Sequence, residues 1–239
     1  MITLIIPTYN ERGNVVPLIR EIEKIFSWEE ENDFEILVMD DDSPDGTFEA
    51  VRDLGDPRVR AVNRRGKPRG LSASVIDGFE MAGGDIVGVL DADWSHPPDA
   101  IPSLVRAVRD GALIAVASRY VKGGGIKNWP LKRAVISRIA CWLARPVTAV
   151  RDSTSGFFFL KKSILRGVSL DPVGFKIGLE VFVKSRHGNK IIEVPYVFTD
   201  RKIGASKFGS FLVYCYLKQI FALMRAGRRA AKIEESRNG

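Results

Sequence analysis

The sequence predicts an α/β domain whose mostly parallel central sheet is flanked by helices, and three observations carry that expectation. Apolar runs at residues 2–6, 34–39, 59–62, 86–90 and 113–117 alternate with segments of helical spacing. The runs are almost continuously apolar, as in strands covered on both faces. Several end in polar or acidic clusters, namely Thr8-Tyr9-Asn10-Glu11, Asp40-Asp41-Asp42 and Asp91-Ala92-Asp93. Open α/β sheets bind ligands at the carboxyl ends of their strands.

Taken in order, the first strand stops at Pro7, which has no donor for a hydrogen-bond ladder. A helix follows over about 14–26, with Val15, Leu18, Ile19, Ile22 and Phe26 on its buried face. The second strand runs into the three aspartates, and Pro44-Asp45-Gly46 turns the chain into a helix ending near Gly55. A short strand, a helix over 71–81 and the strand 86–90 come next, and Pro97-Pro98 closes that loop. A helix near 99–109 and the strand 113–117 complete the regular half. Beyond Tyr120, Gly123-Gly124-Gly125 reads as a flexible loop, and Leu131 to about Ala144 as a helix stopped by Pro146. Strands at 156–160 and 191–198, a helix at 177–186 and a long helix from about Ser206 follow. With no Pro/Gly/Ser-rich linker, the second half reads as an extension of the first sheet. The expected division is a catalytic domain over 1–205 and a C-terminal amphipathic basic helix with a polar tail over 206–239.

The chain has 239 residues and is 45% apolar, enough for a sizeable core, and 36 basic against 29 acidic residues give a net charge of +7. Such an excess suits an anionic partner. Cys141 and Cys215 lie far apart without metal-type spacing, and the first residues already read as a strand, so a reducing, cytoplasmic setting without a secretory signal is expected. No stretch reaches the roughly 18 uninterrupted apolar residues of a membrane span. The nearest, 208–226, contains Lys218 and Arg225. No Gly-x-Gly-x-x-Gly follows the first strand, and Gly66-Lys67-Pro68-Arg69-Gly70 lacks Walker spacing, which excludes the usual dinucleotide fold and P-loop ATPases.

The clusters at the strand ends carry the chemistry. Thr8 and Glu11 have capping-box spacing and Asn10 is a good N-cap, so a helix start explains this turn as well as a ligand does. Three adjacent carboxylates at 40–42 exceed what one cap needs, and base N–H groups and ribose hydroxyls are donors that would pair with them. Asp91 and Asp93, two residues apart on an extended chain, project the same way. Side by side they repel unless a cation intervenes, and hard oxygen ligands suit Mg2+ or Mn2+. Arg133 and Ser137 share one helix face. His96 reads as a loop hydrogen-bonder, and His187 suits a helix C-terminus.

In series, Pro7-Thr8-Tyr9-Asn10-Glu11, Asp40-Asp41-Asp42-Ser43-Pro44-Asp45-Gly46-Thr47 and Asp91-Ala92-Asp93-Trp94-Ser95-His96-Pro97-Pro98 resemble the family-2 glycosyltransferases of GT-A fold. Ser118-Arg119-Tyr120, Trp129 to Ser137, Ser153-Thr154-Ser155-Gly156-Phe157 and Thr199-Asp200-Arg201 to Ser206-Lys207 narrow the resemblance to the polyprenol-phosphate, or dolichol-phosphate, mannose synthases. The likeness implies inverting, metal-dependent transfer of mannose from GDP-mannose to the phosphate of a membrane polyprenol. By the same likeness, Pro7, Thr8, Tyr9, Glu11, Asp40 and Asp42 line the nucleoside pocket, joined on the donor side by Ala92, Arg201 and Lys207. Asp91 and Asp93 hold the metal, with Ser95 where some relatives carry a further ligand. Arg119, Arg133 and Ser137 face the acceptor phosphate, and Glu180 lies near that side. The absence of a Gln-x-x-Arg-Trp segment separates the chain from processive polysaccharide synthases.

A polyprenol acceptor requires contact with a bilayer. The helix from Leu131 and the final helix supply apolar surface, and Arg225, Arg228, Arg229 and Lys232 supply charge. The expected placement is peripheral, on the cytoplasmic face, with a small transmembrane partner as another means of attachment. UDP-glucose or another nucleotide sugar is the alternative donor, and a non-catalytic basic membrane-binding module the alternative class. Nucleic acid is not expected as a partner, because carboxylate-rich strand ends repel phosphates.

Overall fold

A computed structural model describes residues 1–171, 176–199 and 214–226. Its main sheet has seven strands: β1 (Ile2–Thr8), β2 (Phe34–Asp40), β3 (Val59–Asn63), β4 (Ile86–Val89), β5 (Ile114–Ser118), β7 (Phe158–Lys161) and β8 (Ile191–Pro195). They lie in the order β3-β2-β1-β4-β7-β5-β8. All neighbours run parallel except at β7, which is antiparallel to both β4 and β5. The mixed second half therefore extends the first sheet, as its lack of a linker predicts.

The pleat sends alternate residues of β1 and β2 to two separate cores. On one side Ile2, Leu4, Ile6, Ile36 and Val38 meet α1 (Arg12–Trp28) through Val15, Leu18 and Ile22, and α4 (Ile101–Arg109) through Leu104 and Val108. Ile5, Leu37 and Met39 face the other way, toward Val75 and Phe79 of α3 (Leu71–Met81) and Ile177 and Val181 of α6 (Ile177–Lys184). β7 feeds both, with Phe159 in the first core and Phe158 and Leu160 in the second. Each such fully buried side chain contributes roughly 1.5–3 kcal/mol against exposure. Between β2 and β3 lies the short α2 (Thr47–Arg52), entered through Gly46 at φ 84°, a left-handed conformation that suits glycine.

Four expectations are corrected. β1 runs on through Pro7 to Thr8, opposite Met39 and Asp40 of β2, because proline removes one donor without forbidding extended backbone. The run 191–198 is two strands: Pro195 ends β8, and the chain then crosses to form β9 (Val197–Thr199), which pairs with β6 (Gly125–Lys127) in a small second sheet. The glycine loop is consequently structured at its end, where Gly125 N–H donates to Tyr196 O at 3.0 Å. Gly124 has no room for a side chain, since a Cβ would lie 2.4 Å from Ser118 O. Finally, Thr8 and Asn10 do not cap α1. Its N-cap is Glu11, without a side-chain cap bond, and the Thr8 hydroxyl turns to Asp40 instead.

Helix α5 (Leu131–Leu143) forms where its spacing predicts, yet Leu131, Val135, Ile139 and Trp142 remain exposed. The closing helix, α7, is described over 214–226 and packs Ile220 and Leu223 on Ala144 and Leu179. Arg201, Lys207, Phe208, Phe211, Leu212, Arg228, Arg229 and Lys232, together with the expected 205/206 division, lie outside the described residues. No helix among the described residues is long and apolar enough to cross a membrane.

Candidate active site

The carboxyl ends of β1, β2 and β4 converge as the sheet order requires. At the end of β2, Asp40 is wholly buried: Oδ1 accepts from Thr8 Oγ1 at 2.9 Å and Ser43 Oγ at 2.6 Å, and Oδ2 from Ser43 N at 2.8 Å. Asp40, expected to line the pocket, is thus held by the loop that the pocket shares. Ser43 Oγ also accepts from Asn10 N at 2.9 Å, tying the two loops together. Asp42, at φ 58°, is the half-exposed carboxylate, with Arg65 Nε 3.8 Å and Arg69 Nη2 3.5 Å away. The Arg69 guanidinium lies over the Tyr9 ring, 5.4 Å from its centre. Tyr9, Asp42 and Arg69 thus form the rim beside the half-buried Pro7 and Glu11.

A second buried network anchors that rim. Arg64 is buried and donates through Nη1 to Asp41, through Nε to Asp77 at 2.9 Å and through Nη2 to Pro68 O at 3.0 Å. Asp41 Oδ2 accepts from Gly70 N at 2.8 Å, and Oδ1 from Ser74 Oγ at 2.9 Å. A buried pair of this kind holds only when its remaining hydrogen-bonding positions are filled. Here the partners lie in the turn 64–70 and on α3, so the charges tie the loop that presents Arg69 to that helix.

After β4 the chain turns sharply. Trp94 adopts φ 62° and its Nε1–H donates to Asn14 O at 3.3 Å, while Ser95 N–H donates to Asp93 Oδ1 at 3.1 Å. His96 is buried, and that burial chiefly brings its pKa down to about 4 against the opposing charge of Asp93. It is neutral at pH 7, and its Nδ1 accepts from Asp91 N at 3.1 Å. The ring stacks on Phe157 with centres 5.2 Å apart. His96 is therefore the loop hydrogen-bonder that its sequence context suggests. Gly156 abuts the same turn: a Cβ there would meet Asp91 Oδ2 at 3.6 Å and His96 Cε1 at 3.5 Å.

Across from the carboxylates stands a cationic wall. Arg119, at the end of β5, is buried and donates through Nε to Asp152 Oδ2 at 2.7 Å and through Nη2 to Asp152 Oδ1 at 2.6 Å and Thr154 Oγ1 at 2.8 Å. Burial opposes its charge, but Asp152 outweighs burial and raises the arginine's pKa further. The rings of Tyr120, Trp129 and Phe198 surround the guanidinium at 5.2, 5.3 and 5.5 Å. Lys176 Nζ donates to Thr154 O at 2.7 Å. Burial, then the charge of Arg119, hold its pKa below the ordinary value while Asp91 and Asp152 resist. On α5, the Arg133 guanidinium covers Trp129 at 4.1 Å, and Ser137 Oγ accepts from Tyr120 OH at 2.8 Å.

The sequence profile described as "Glycosyl transferase family 2" matches residues 3–173. The chain belongs to glycosyltransferase family 2. It is 42% identical over 228 residues to a dolichol-phosphate mannosyltransferase of Pyrococcus furiosus, covering 94% of this chain and 64% of that protein. It thus spans less than two thirds of that relative's length. A Saccharomyces cerevisiae protein of the same name is 37% identical, with 91% of this chain and 85% of that one covered. Among solved structures, mannosyl-3-phosphoglycerate synthase from Rubrobacter xylanophilus shares the fold with a TM-score of 0.72 at 20% identity, over 95% of this chain and 75% of that one. These likenesses agree with the GT-A architecture expected from the motifs.

The strand-end turn after β4 fits a divalent metal by its donor set. Asp91 and Asp93 offer hard oxygens, and His96 holds the turn through the Asp91 N–H. No group of three or more His, Cys, Asp or Glu side chains among the described residues could build an all-protein cage. Mg2+ in particular is held by one or two carboxylates plus substrate phosphates and water. Ser95 is buried behind the turn, where its N–H orients Asp93.

Sequence reasoning missed several residues of the site. Asp152 and Lys176 hold the cationic wall, Arg69 completes the rim, and Glu193 of β8 accepts from Arg151 N at 2.8 Å and Asp152 N at 3.0 Å, fixing the loop that carries Asp152. The density of cations in Arg64-Arg65-Gly66-Lys67-Pro68-Arg69 is the signal that could have found the rim. Nothing local marks Asp152 or Glu193 as partners of groups more than 30 residues away. Arg119, expected to face the acceptor phosphate, also has internal partners. Its Nε and Nη2 edge is taken up by Asp152 and Thr154, so it cannot present that edge as a fork to phosphate.

Proposed function

We propose that the chain transfers mannose from GDP-mannose to the phosphate of a membrane polyprenol, with inversion at the anomeric carbon. What supports the reading above all is that relatives named dolichol-phosphate mannosyltransferase align over more than nine tenths of the chain, with 42%, 37% and 37% identity. In this reading Tyr9, Glu11, Asp42 and Arg69 receive the nucleoside, and Asp91 and Asp93 lie under the diphosphate. An oxygen of the acceptor phosphate attacks the anomeric carbon as the bond to the diphosphate breaks, releasing GDP in one in-line displacement. That oxygen is already anionic near pH 7, so the site has to orient it and balance its charge rather than remove a proton. Arg133, Ser137 and the Nη1 side of Arg119 take that part, with Lys176 balancing charge between acceptor and Asp91. A bound Mg2+ or Mn2+ would neutralise the negative charge that builds on the leaving diphosphate. Peripheral attachment to the cytoplasmic face through α5 and α7, alone or with a small transmembrane partner, would bring the acceptor phosphate to this wall.

The test is transfer of labelled mannose from GDP-mannose to a short polyprenyl phosphate with Mg2+ or Mn2+, beside thermal-shift measurements with GDP, UDP and ADP. Metal-dependent stabilisation by GDP and formation of a lipid-linked product are expected. Stabilisation by UDP alone would transfer the reading to another donor sugar. Asp93→Ala abolishes transfer. Arg133→Ala lowers turnover by roughly 10- to 150-fold, the equivalent of one hydrogen bond to a charged group, while GDP affinity stays within about twofold. An equal loss of GDP affinity would remove Arg133 from the acceptor side.

A further inference from the structure

Beside Tyr120 and the C-terminal half of α5, the structure contains a cavity of about 210 Å³ that the transfer chemistry does not use. Arg138, Arg145 and Arg151 line it together with Tyr120, Cys141 and Trp142. All three arginines are exposed, and among the described residues none of them forms an ion pair with a carboxylate. Asp152, behind the cavity, is already bound by Arg119, and Glu193 accepts from backbone N–H groups and Ser118. The arginines have only light internal duties. Arg138 lies over the Tyr120 ring at 5.4 Å, and Arg145 Nη1 donates to Ala149 O at 2.9 Å. The C-terminal end of α5 favours nearby cations through its dipole, which accounts for basic residues there but not for the open depression they line.

The cavity's position identifies its ligand. Residues 131, 135, 138 and 142 follow steps of four and three, so they share one face of α5, and Arg145 follows in the turn just past its end. Along that face Leu131 and Val135 are exposed, and Trp142, which forms a wall of the cavity, is 70% exposed. An apolar stripe ending in a tryptophan and arginines is the pattern of a surface lying in a bilayer interface. Arginine holds phosphate through paired N–H donors. We infer that this cavity binds the phosphodiester headgroup of an acidic membrane phospholipid, docking α5 on the bilayer beside the acceptor entrance. The inference rests on the reading that the acceptor is a membrane lipid phosphate.

The experiment compares binding of the full chain to vesicles of phosphatidylcholine with and without phosphatidylglycerol at fixed ionic strength. Replacing all three arginines by glutamine is expected to lower affinity for the acidic vesicles roughly a hundredfold, about fivefold per charge. The decisive variant is Arg138→Lys with Arg145→Lys and Arg151→Lys, which keeps every charge and removes the paired donors. It is expected to bind acidic vesicles roughly tenfold more weakly, as for one lost charged hydrogen bond, with an unchanged melting temperature and unchanged turnover of a short polyprenyl phosphate dispersed in detergent. Wild-type vesicle binding by the lysine variant would leave only diffuse attraction and overturn the inference. Loss of turnover with the dispersed acceptor would overturn it too, by making the cavity part of the acceptor's own site. Release of the wild type from vesicles by millimolar inorganic phosphate would identify the free ion as the ligand instead. Vesicle binding involves no sugar donor, so a failure of mannose transfer and a failure of lipid docking are separately visible.

Discussion

Replacing Asp152 by alanine removes the partner of a guanidinium that has almost no access to water. Asp152 is fully buried and accepts from the Arg119 backbone N–H at 2.9 Å, from Nε at 2.7 Å and from Nη2 at 2.6 Å. Breaking a buried ion pair from one side costs about 3–5 kcal/mol, because the remaining charge stays buried without compensation. Against a total stability of roughly 5–15 kcal/mol, that is a large fraction. For a chain of this size each kcal/mol moves the melting temperature by about 2–4 °C, so a fall of roughly 6–20 °C is expected. Urea unfolding followed by tryptophan fluorescence measures the free energy directly. The double variant Arg119→Met with Asp152→Leu removes both charges, and it should recover most of the loss because neither charge is left stranded. A loss below about 1 kcal/mol in the single variant would refute the argument. So would a double variant as unstable as the sum of the two single ones.

Gly88→Ala in β4 drives a methyl group to 2.3 Å from the buried Phe159 ring. Overpacking of this kind costs about 1–3 kcal/mol, and Phe159→Leu in the same chain should relieve part of it, as melting temperatures of the three variants would report. Asp77 has its pKa held below the ordinary 3.8: burial raises it, but Lys67 and Arg64 outweigh burial. Its contribution to stability is present above that ordinary value and fades as pH falls through the lower folded one. Asp77→Asn should therefore flatten the loss of stability below about pH 4, seen in urea midpoints between neutral and acidic pH. An acid limb as steep as the wild type's would assign it to other carboxylates.

Much of the fold is legible because it is written locally. Helix α3 begins and ends at the residues its spacing predicts, and the buried face of α1 is the predicted one. The strands leading to the acidic clusters announce themselves by composition, and the clusters mark their carboxyl ends. What is not legible depends on distant partners. Nothing in Phe158–Lys161 says that it runs against its neighbours, since a strand covered on both faces has the same composition in either direction. The pairing of β6 with β9 joins segments 72 residues apart, and a glycine run offers no pattern from which to foresee it. Among the candidate residues, Tyr9, Asp42, Asp91, Asp93, Arg133 and Ser137 could be proposed from motif and spacing. Whether a charge faces a ligand or an internal partner could not, and so Asp40 and Arg119 appeared more open than they are.

The place of β7 also constrains how the chain can fold. It arrives after Phe157 yet occupies the middle of the sheet, between strands formed by residues 86–89 and 114–118. During synthesis the first four strands can zip together in order, while β5 has no neighbour to pair with until residues 158–161 and 191–195 exist. Until then one side of β4 is an unprotected edge, which can recruit a strand from another chain. Contacts that close such long loops form slowly. A ribosome pausing shortly before residue 158 would thus present an adhesive half-sheet, and the arrival of one four-residue segment would cover the edge of β4, leaving that of β5 to residues 191–195.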